Sequence, residues 1–205
     1  MMSSLLPMFL KLAGRKCVVV GGGLTAEGKV EGLLACGATL VVVAPELTEK
    51  LASWNAEGRL TWRRRHFEPS DLENAFLVVA AAREPSLSEA VFREAEARGI
   101  LCNVVDEPER CHFYYPAIVR RGPLQIAIST GGVSPALAAR LRVDLEAQFG
   151  PEYERWLEKL GAARRAVFAK KLDPLRRARV LRLLASQRSF ERFLSRERRR
   201  TGGPG

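Results

Sequence analysis

The segment Lys16-Cys-Val-Val-Val-Gly-Gly-Gly-Leu-Thr-Ala-Glu-Gly-Lys29 constrains the fold more than any other part of the chain. An apolar, β-branched run, Cys17–Val20, enters a triple glycine and leaves as a helical pattern. That order is strand, tight turn and helix start, the arrangement in which a glycine-rich turn receives a dinucleotide pyrophosphate. Gly21 and Gly23 match the first two glycines of G-x-G-x-x-G/A, and Ala26 takes the third, small position. Glycine lets the backbone turn sharply and approach phosphate oxygens, while the N–H groups of the first helical turn face the anion. On this reading Gly21, Gly22 and Gly23 approach the pyrophosphate, with Leu24 and Thr25 at the helix start. A plain strand–helix turn that needs glycine only for its geometry is the alternative.

Strand and helix patterns alternate through the first hundred residues. Strands are predicted at Cys17–Val20, Thr39–Ala44, Leu60–Arg64, Phe76–Ala81 and Ile100–Val105, and helices at Thr25–Cys36, Glu46–Glu57 and Ser86–Arg98, with a short turn or helix at Pro69–Asn74. Near-continuous apolar strands indicate a parallel sheet covered on both faces. The predicted class is α/β, a Rossmann-like parallel sheet. After Pro108 the pattern changes to two strands around Arg121-Gly122-Pro123, then a helix with Ser134 as N-cap and Pro135 at its first position. Glycines ahead of that cap make a second anion site available at Gly131 and Gly132. Gly150-Pro151 marks a boundary, and from Glu152 onward the pattern is helical, with Trp156, Leu160, Val167, Phe168, Leu172, Leu175, Val180, Leu183, Leu184, Phe190 and Phe193 as packing residues. The expected organisation is a nucleotide-binding domain over 1–113, a small α+β segment over 114–150 and a basic helical domain over 151–205 whose Arg198–Gly205 tail is disordered.

The net charge of +10 is unevenly spread: residues 1–150 hold 17 basic and 17 acidic side chains, whereas 151–205 hold 16 and 6. Two readings fit, a solvated helical face or a surface for a polyanion. No apolar run reaches the roughly 18 residues a membrane span needs, and Met1–Leu10 lacks the basic and small-residue marks of a signal peptide. Cysteines at 17, 36, 102 and 111 show no C-x-x-C pairing, so reduced thiols in a cytoplasmic protein are expected, with no zinc site or disulfide framework.

Asp106 ends an apolar strand at the carboxyl edge of the sheet, where open α/β folds place their ligands. A carboxylate there can accept a proton, or it can cap the turn before Glu107-Pro108. His112, six residues on, can relay a proton or hold a metal ion, or be an ordinary partly buried histidine; no metal site is assigned. The second strand ends Val43-Ala44-Pro45-Glu46, and a dinucleotide site wants an acidic group there for the ribose hydroxyls. Pro45 and Glu46 are the candidates, Glu46 standing slightly late. No arginine follows this strand directly, which favours NAD over NADP.

These segments together resemble the precorrin-2 dehydrogenase / sirohydrochlorin ferrochelatase family. The marks run from about Leu6 to about Glu146: Leu6-Pro-Met-Phe9, Val20-Gly-Gly-Gly23, Val43-Ala-Pro45, Cys102-Asn-Val-Val-Asp106, Pro116-Ala-Ile118 and Ile128-Ser-Thr-Gly-Gly-Val-Ser-Pro135. The likeness is to the stand-alone form, without an added methyltransferase domain. It implies that NAD+ takes a hydride from precorrin-2 to give sirohydrochlorin, and that in many members the same protein then inserts Fe2+ as a second substrate. It also implies a homodimer, with the segment after the Rossmann unit exchanging contacts between subunits. Asp106 matches the family's functional aspartate. Ser129, Thr130, Gly131 and Gly132 match a segment near its active site, and Arg120, Arg121, Arg140 and Arg142 are candidates for pairing with tetrapyrrole carboxylates. Two departures stand out: Gly28-Lys29 replaces an Arg-Lys pair, and Ala80-Ala-Ala-Arg83 replaces Ala-Ala-Thr-Asp beside the cofactor. Dehydrogenation with chelation and dehydrogenation alone both fit. A nucleotide-sensing regulator with its basic tail on DNA is the contrasting reading; it leaves Asn103–Asp106 and the Ser129–Pro135 turn without a purpose.

Overall fold

The computed structural model describes residues 5–82 and 84–201, which divide after Tyr115 into two compact units. The first is a five-stranded parallel sheet of β1 (Lys16–Val20), β2 (Thr39–Val43), β3 (Thr61–Arg63), β4 (Leu77–Ala80) and β5 (Leu101–Val104), in the order β3-β2-β1-β4-β5. Side chains alternate across the strands. Cys17, Val19, Leu40, Val42, Leu77 and Val79 pack on one face with Val30 and Leu33 of α1 (Leu24–Ala35) and Leu51 and Trp54 of α2 (Glu49–Ala56). Val18, Val20, Val41, Val43, Val78 and Val104 pack on the other with Leu72 and with Val91 and Ala95 of α3 (Pro85–Ala97). Burial of each such valine or leucine contributes on the order of 1.5–3 kcal/mol, so both faces of the sheet must be covered, as they are.

The order of the strands reverses between β1 and β4, and the chain segments leaving these two strands touch. A Cβ on Gly21, which has φ +117°, would lie 2.7 Å from the Ala81 carbonyl oxygen. This is the crevice where open α/β sheets bind ligands. The helix expected from Glu46 starts at Glu49 instead. Thr48 caps it, its Oγ1 accepting from Leu51 N–H at 3.4 Å, and Pro45–Leu47 stay as a loop.

The second unit begins with an antiparallel hairpin, β6 (Ala117–Arg121) and β7 (Leu124–Ile128), followed by α4 (Pro135–Gln148), α5 (Glu152–Ala169), α6 (Pro174–Leu184) and α7 (Gln187–Thr201). Helices α4 and α5 both pack on the hairpin, so the segments on either side of Gly150-Pro151 share one unit. Tyr153 and Trp156 of α5 meet Phe190 and Phe193 of α7 at ring-centroid distances of 4.6–5.8 Å. Not every expected packing residue is covered: Phe168, Leu175 and Leu183 are 49%, 84% and 61% exposed. Arg164 and Arg177 lie over the Phe168 ring at 5.2 and 4.8 Å. The helix α7 continues through Thr201, past the Arg198 at which the tail was expected to begin; Gly202–Gly205 lie outside the described residues. Among the described residues no helix is long and apolar enough to cross a membrane.

Candidate functional site

The three glycines of the first turn do three different jobs. Gly21 makes the sharp exit from β1, in a positive-φ conformation that its neighbour Ala81 leaves no room to decorate. Gly22 is forced by packing, since a Cβ there would sit 2.0 Å from the Glu46 carbonyl oxygen. Its own carbonyl accepts from Thr48 N–H at 3.0 Å, which ties the turn to the loop after β2. Gly23, the N-cap of α1, is exposed with nothing within 4 Å of a notional Cβ, and no side chain caps the helix. Among the described residues the N–H groups of Gly23, Leu24 and Thr25 have no backbone acceptor. Leu24 and Thr25 are exposed, and Ala26 is fully buried against the sheet, as the small third position of the fingerprint requires. The residues present therefore fit a dinucleotide pyrophosphate: backbone access at Gly23 and free donors at a helix N-terminus.

Pro45 and Glu46 are exposed in the loop that leans on Gly22. The end of β2 is also shared with β3: Ala44 N–H donates to the Arg63 carbonyl at 3.2 Å, and the Trp62 indole N–H donates to the Ala44 carbonyl at 2.9 Å. Arginines are absent from the end of β2 itself, but the neighbouring strand brings Arg63, Arg64 and Arg65 alongside it. Sequence order hid this because the two strand ends are some twenty residues apart.

Asp106 lies just past β5, exposed, with φ +64°. Aspartate is among the few residues that tolerate this left-handed conformation, which turns the chain sharply at the sheet edge. Lys29, one helical turn past Thr25, is its electrostatic neighbour. Burial holds the Lys29 ammonium below its ordinary value, against Asp106 and Cys111, which pull it up. The ammonium rests 3.9 Å from the centre of the Tyr115 ring. The sequence marked Lys29 only as a departure from a pair; its position on the helical face below Thr25 was the available signal.

Asn103 and His112 have structural contacts. The buried Asn103 side chain donates to the Phe113 carbonyl at 2.9 Å and to Cys111 Sγ at 3.3 Å, clasping the chain that returns along β5. Nδ1 of His112 accepts from Cys102 N–H at 3.1 Å, which places the ring proton on Nε2, 2.5 Å from the Glu96 carboxylate. Both nitrogens are engaged, one by β5 and the other by the last turns of α3. Cys17 and Cys102 are buried, with burial pushing their thiols up to about 11 and about 12; Cys36 is exposed, and all four cysteines are free. Among the described residues no group of three or more His, Cys, Asp or Glu is placed to hold a metal ion. Arg83 lies outside the described residues.

A further cluster surrounds a buried carboxylate that no local sequence pattern announces. Asp71, with no exposed surface, accepts two hydrogen bonds from Arg65 at 2.8 Å, one from Arg63 and one from Glu68 N–H at 2.9 Å. Burial alone would raise its carboxyl, but Arg65, the Glu68 amide and Arg63 outweigh it and hold the group below the usual carboxylate range.

In the second unit the hydroxyls before α4 mostly satisfy the backbone. Ser129 Oγ accepts from Gly131 N–H at 3.1 Å, Thr130 Oγ1 from Ser134 N–H at 3.1 Å, and Ser134 Oγ from Leu137 N–H at 3.2 Å. Gly131 therefore has no free donor, whereas Gly132 N–H has no backbone acceptor among the described residues. The Arg121 guanidinium donates to the carbonyls of Phe149, Glu146 and Arg120, closing the C-terminus of α4. Arg140 and Arg142 pair with Asp144 and Glu146 one turn along the same helix. Arg120 is exposed and forms no ion pair among the described residues.

Comparison with known proteins agrees with this geometry. Residues 8–117 match the family described as "Putative NAD(P)-binding", and residues 121–148 match the central region of sirohaem biosynthesis proteins. The siroheme synthase of Methylobacillus flagellatus is 48% identical over 150 residues, which are 73% of this chain and 32% of that protein. That of Xylella fastidiosa is 40% identical over 194 residues, 94% of this chain and 39% of that protein. The chain thus spans about a third of the length of the curated relatives it matches. Among solved structures, SirC, a precorrin-2 dehydrogenase, superposes with a TM-score of 0.78 at 27% identity, covering 94% of this chain and all of that one. Matched over more than half its length, and similar to siroheme synthases, the chain belongs to this NAD(P)-binding family.

Proposed function

We propose that the chain oxidises precorrin-2 to sirohydrochlorin with NAD+, within siroheme formation. The observation that carries this reading is the pairing of an open dinucleotide turn with Asp106, both at the carboxyl ends of the sheet and joined electrostatically through Lys29 on α1. The similarity to SirC and to siroheme synthases supplies the substrate class.

Gly23, Leu24 and Thr25 would hold the pyrophosphate through their free N–H groups, and Glu46 would meet the ribose hydroxyls. When bound, NAD+ supplies the hydride acceptor. Loss of a hydride from the tetrapyrrole leaves one proton to remove, and Asp106 takes it as general base. The Lys29 amino group lies within electrostatic reach of that carboxylate. Of the substrate groups expected in the second unit, Gly132 N–H and the Arg120 guanidinium have no partner among the described residues and would meet substrate carboxylates, whereas Ser129, Thr130, Gly131 and Arg121 also hold the backbone in place. In the bifunctional form of the reading Fe2+ is a further substrate, and Asp106 accepts the pyrrole N–H protons that its insertion displaces. The reading includes a cytoplasmic homodimer in which the 114–150 segment supplies subunit contacts.

The test is incubation with enzymatically made precorrin-2 and NAD+, without metal. Reduced nicotinamide and the sirohydrochlorin spectrum rise in step if the reading holds, and Fe2+ added next decides chelation. Nucleotide binding without either product overturns the catalytic assignment.

A further inference from the structure

Strand alternation splits the three arginines that follow one another at the end of β3. Arg63 and Arg65 turn to the side where Asp71 lies, and both donate to its buried carboxylate. Trp62 turns the opposite way, into the cluster beneath α1 and α2, and Arg64 follows it, its guanidinium carbon 5.4 Å from the Trp62 ring centre. Arg64 is exposed and forms no ion pair among the described residues. Its stacking partner is itself fixed, because the Trp62 indole N–H donates to the Ala44 carbonyl at 2.9 Å. Ala44 is the first residue past β2, the place where a dinucleotide-binding fold meets the adenosine ribose. The chain thus stations one uncommitted guanidinium, seated on an anchored indole, beside that ribose position.

We infer that Arg64 is a phosphate-binding residue at the ribose end of the site, so that this chain accepts the 2′-phosphorylated dinucleotide NADP as well as NAD. The inference rests on the dinucleotide-binding reading above. An arginine near this strand end receives a 2′-phosphate in folds of this kind, and its planar fork matches phosphate oxygens two at a time. Glu46, in the loop two residues beyond Ala44, is the counterpart for unphosphorylated ribose and carries the opposite preference. The two residues together make a ribose pocket with an acidic and a basic option. Arg63 and Arg65 cannot replace Arg64, since leaving Asp71 would strand a buried carboxylate.

Calorimetric titration of the full chain with NAD+ and NADP+ separately tests this without any turnover. The expected result is NADP+ affinity within about tenfold of NAD+, with Arg64→Gln weakening NADP+ binding about tenfold or more and moving NAD+ by less than twofold, since one charge-assisted contact is lost. Arg64→Lys falls between, keeping the charge without the fork. NAD+ binding with no NADP+ binding overturns the inference alone, as does an NADP+ affinity that Arg64→Gln leaves unchanged. Binding of neither nucleotide overturns it together with the dinucleotide reading.

Discussion

The chain has two glycine-rich turns, each leading into a helix, and they end up chemically opposite. Before α1, the turn Gly21–Gly23 leaves its helix uncapped, with Gly23 open to solvent and the first N–H groups unspent. Before α4, Gly131 and Gly132 stand among hydroxyls, and Ser129, Thr130 and Ser134 each take a backbone N–H. A helix N-terminus must satisfy its donors somewhere. The second turn does so in part from its own side chains, whereas the first leaves its donors without a backbone acceptor among the described residues. Glycine therefore marks where the backbone needs freedom, and the flanking residues decide whether an anion can use it: Leu24 and Thr25 in one case, serine and threonine in the other.

The largest effect is expected at the carboxylate that accompanies the open turn. Asp106→Asn, which tolerates the same positive φ, should lower precorrin-2 turnover about 10²–10⁴-fold while NAD+ affinity stays within twofold; unchanged turnover removes Asp106 from the chemistry. Next in size is a pair within the turn. Gly22→Ala puts a methyl into the Glu46 carbonyl and should cost about 3 kcal/mol in denaturant unfolding. Gly23→Ala meets only open space, so it should leave the melting temperature unchanged and weaken NAD+ tenfold or more. Equal stability losses at both positions would mean that Gly23 serves packing too.

Asp71→Asn should cost about 2–3 kcal/mol at neutral pH, discounted from a fully buried pair because Arg63 and Arg65 are about one-third exposed. Its folded-state carboxyl lies below the unfolded value, so the stabilisation is fully present above roughly pH 4 and is lost as pH falls through the folded value. Acid unfolding of the wild type should show that dependence, and the variant should lack it. Smallest is Ser134→Ala, which removes the α4 cap and should cost about 1 kcal/mol without altering NAD+ affinity. A change in NAD+ affinity there would undo the division of labour between the two turns.

Much of the first unit could be read from the sequence because its signals are local. The runs Cys17–Val20, Thr39–Val43 and Leu77–Ala80 are β-branched and apolar, the glycine fingerprint sits between a strand and a helix, and Ser134-Pro135 announces its own helix. Glu46 and Leu47 suit a helix locally, yet the Gly22 contact and the Thr48 cap hold them in a loop, so α2 starts at Glu49. His112 and Arg121 were chosen as chemical groups by type. Their partners, Cys102 and Glu96 for one and the carbonyls at the end of α4 for the other, are brought to them only by packing.

What the sequence determined by itself is the sheet, the glycine turn and the carboxylate at the strand end, since each depends on side-chain period, φ freedom and strand order along the chain. The tertiary structure alone decided which polar groups remain free. Arg63 and Arg65 are consumed by Asp71 while Arg64 is not, and Gly131 is sealed while Gly23 is open. Hydrogen bonds are filled by whichever donors and acceptors folding brings within about 3 Å, and linear spacing does not encode that distance.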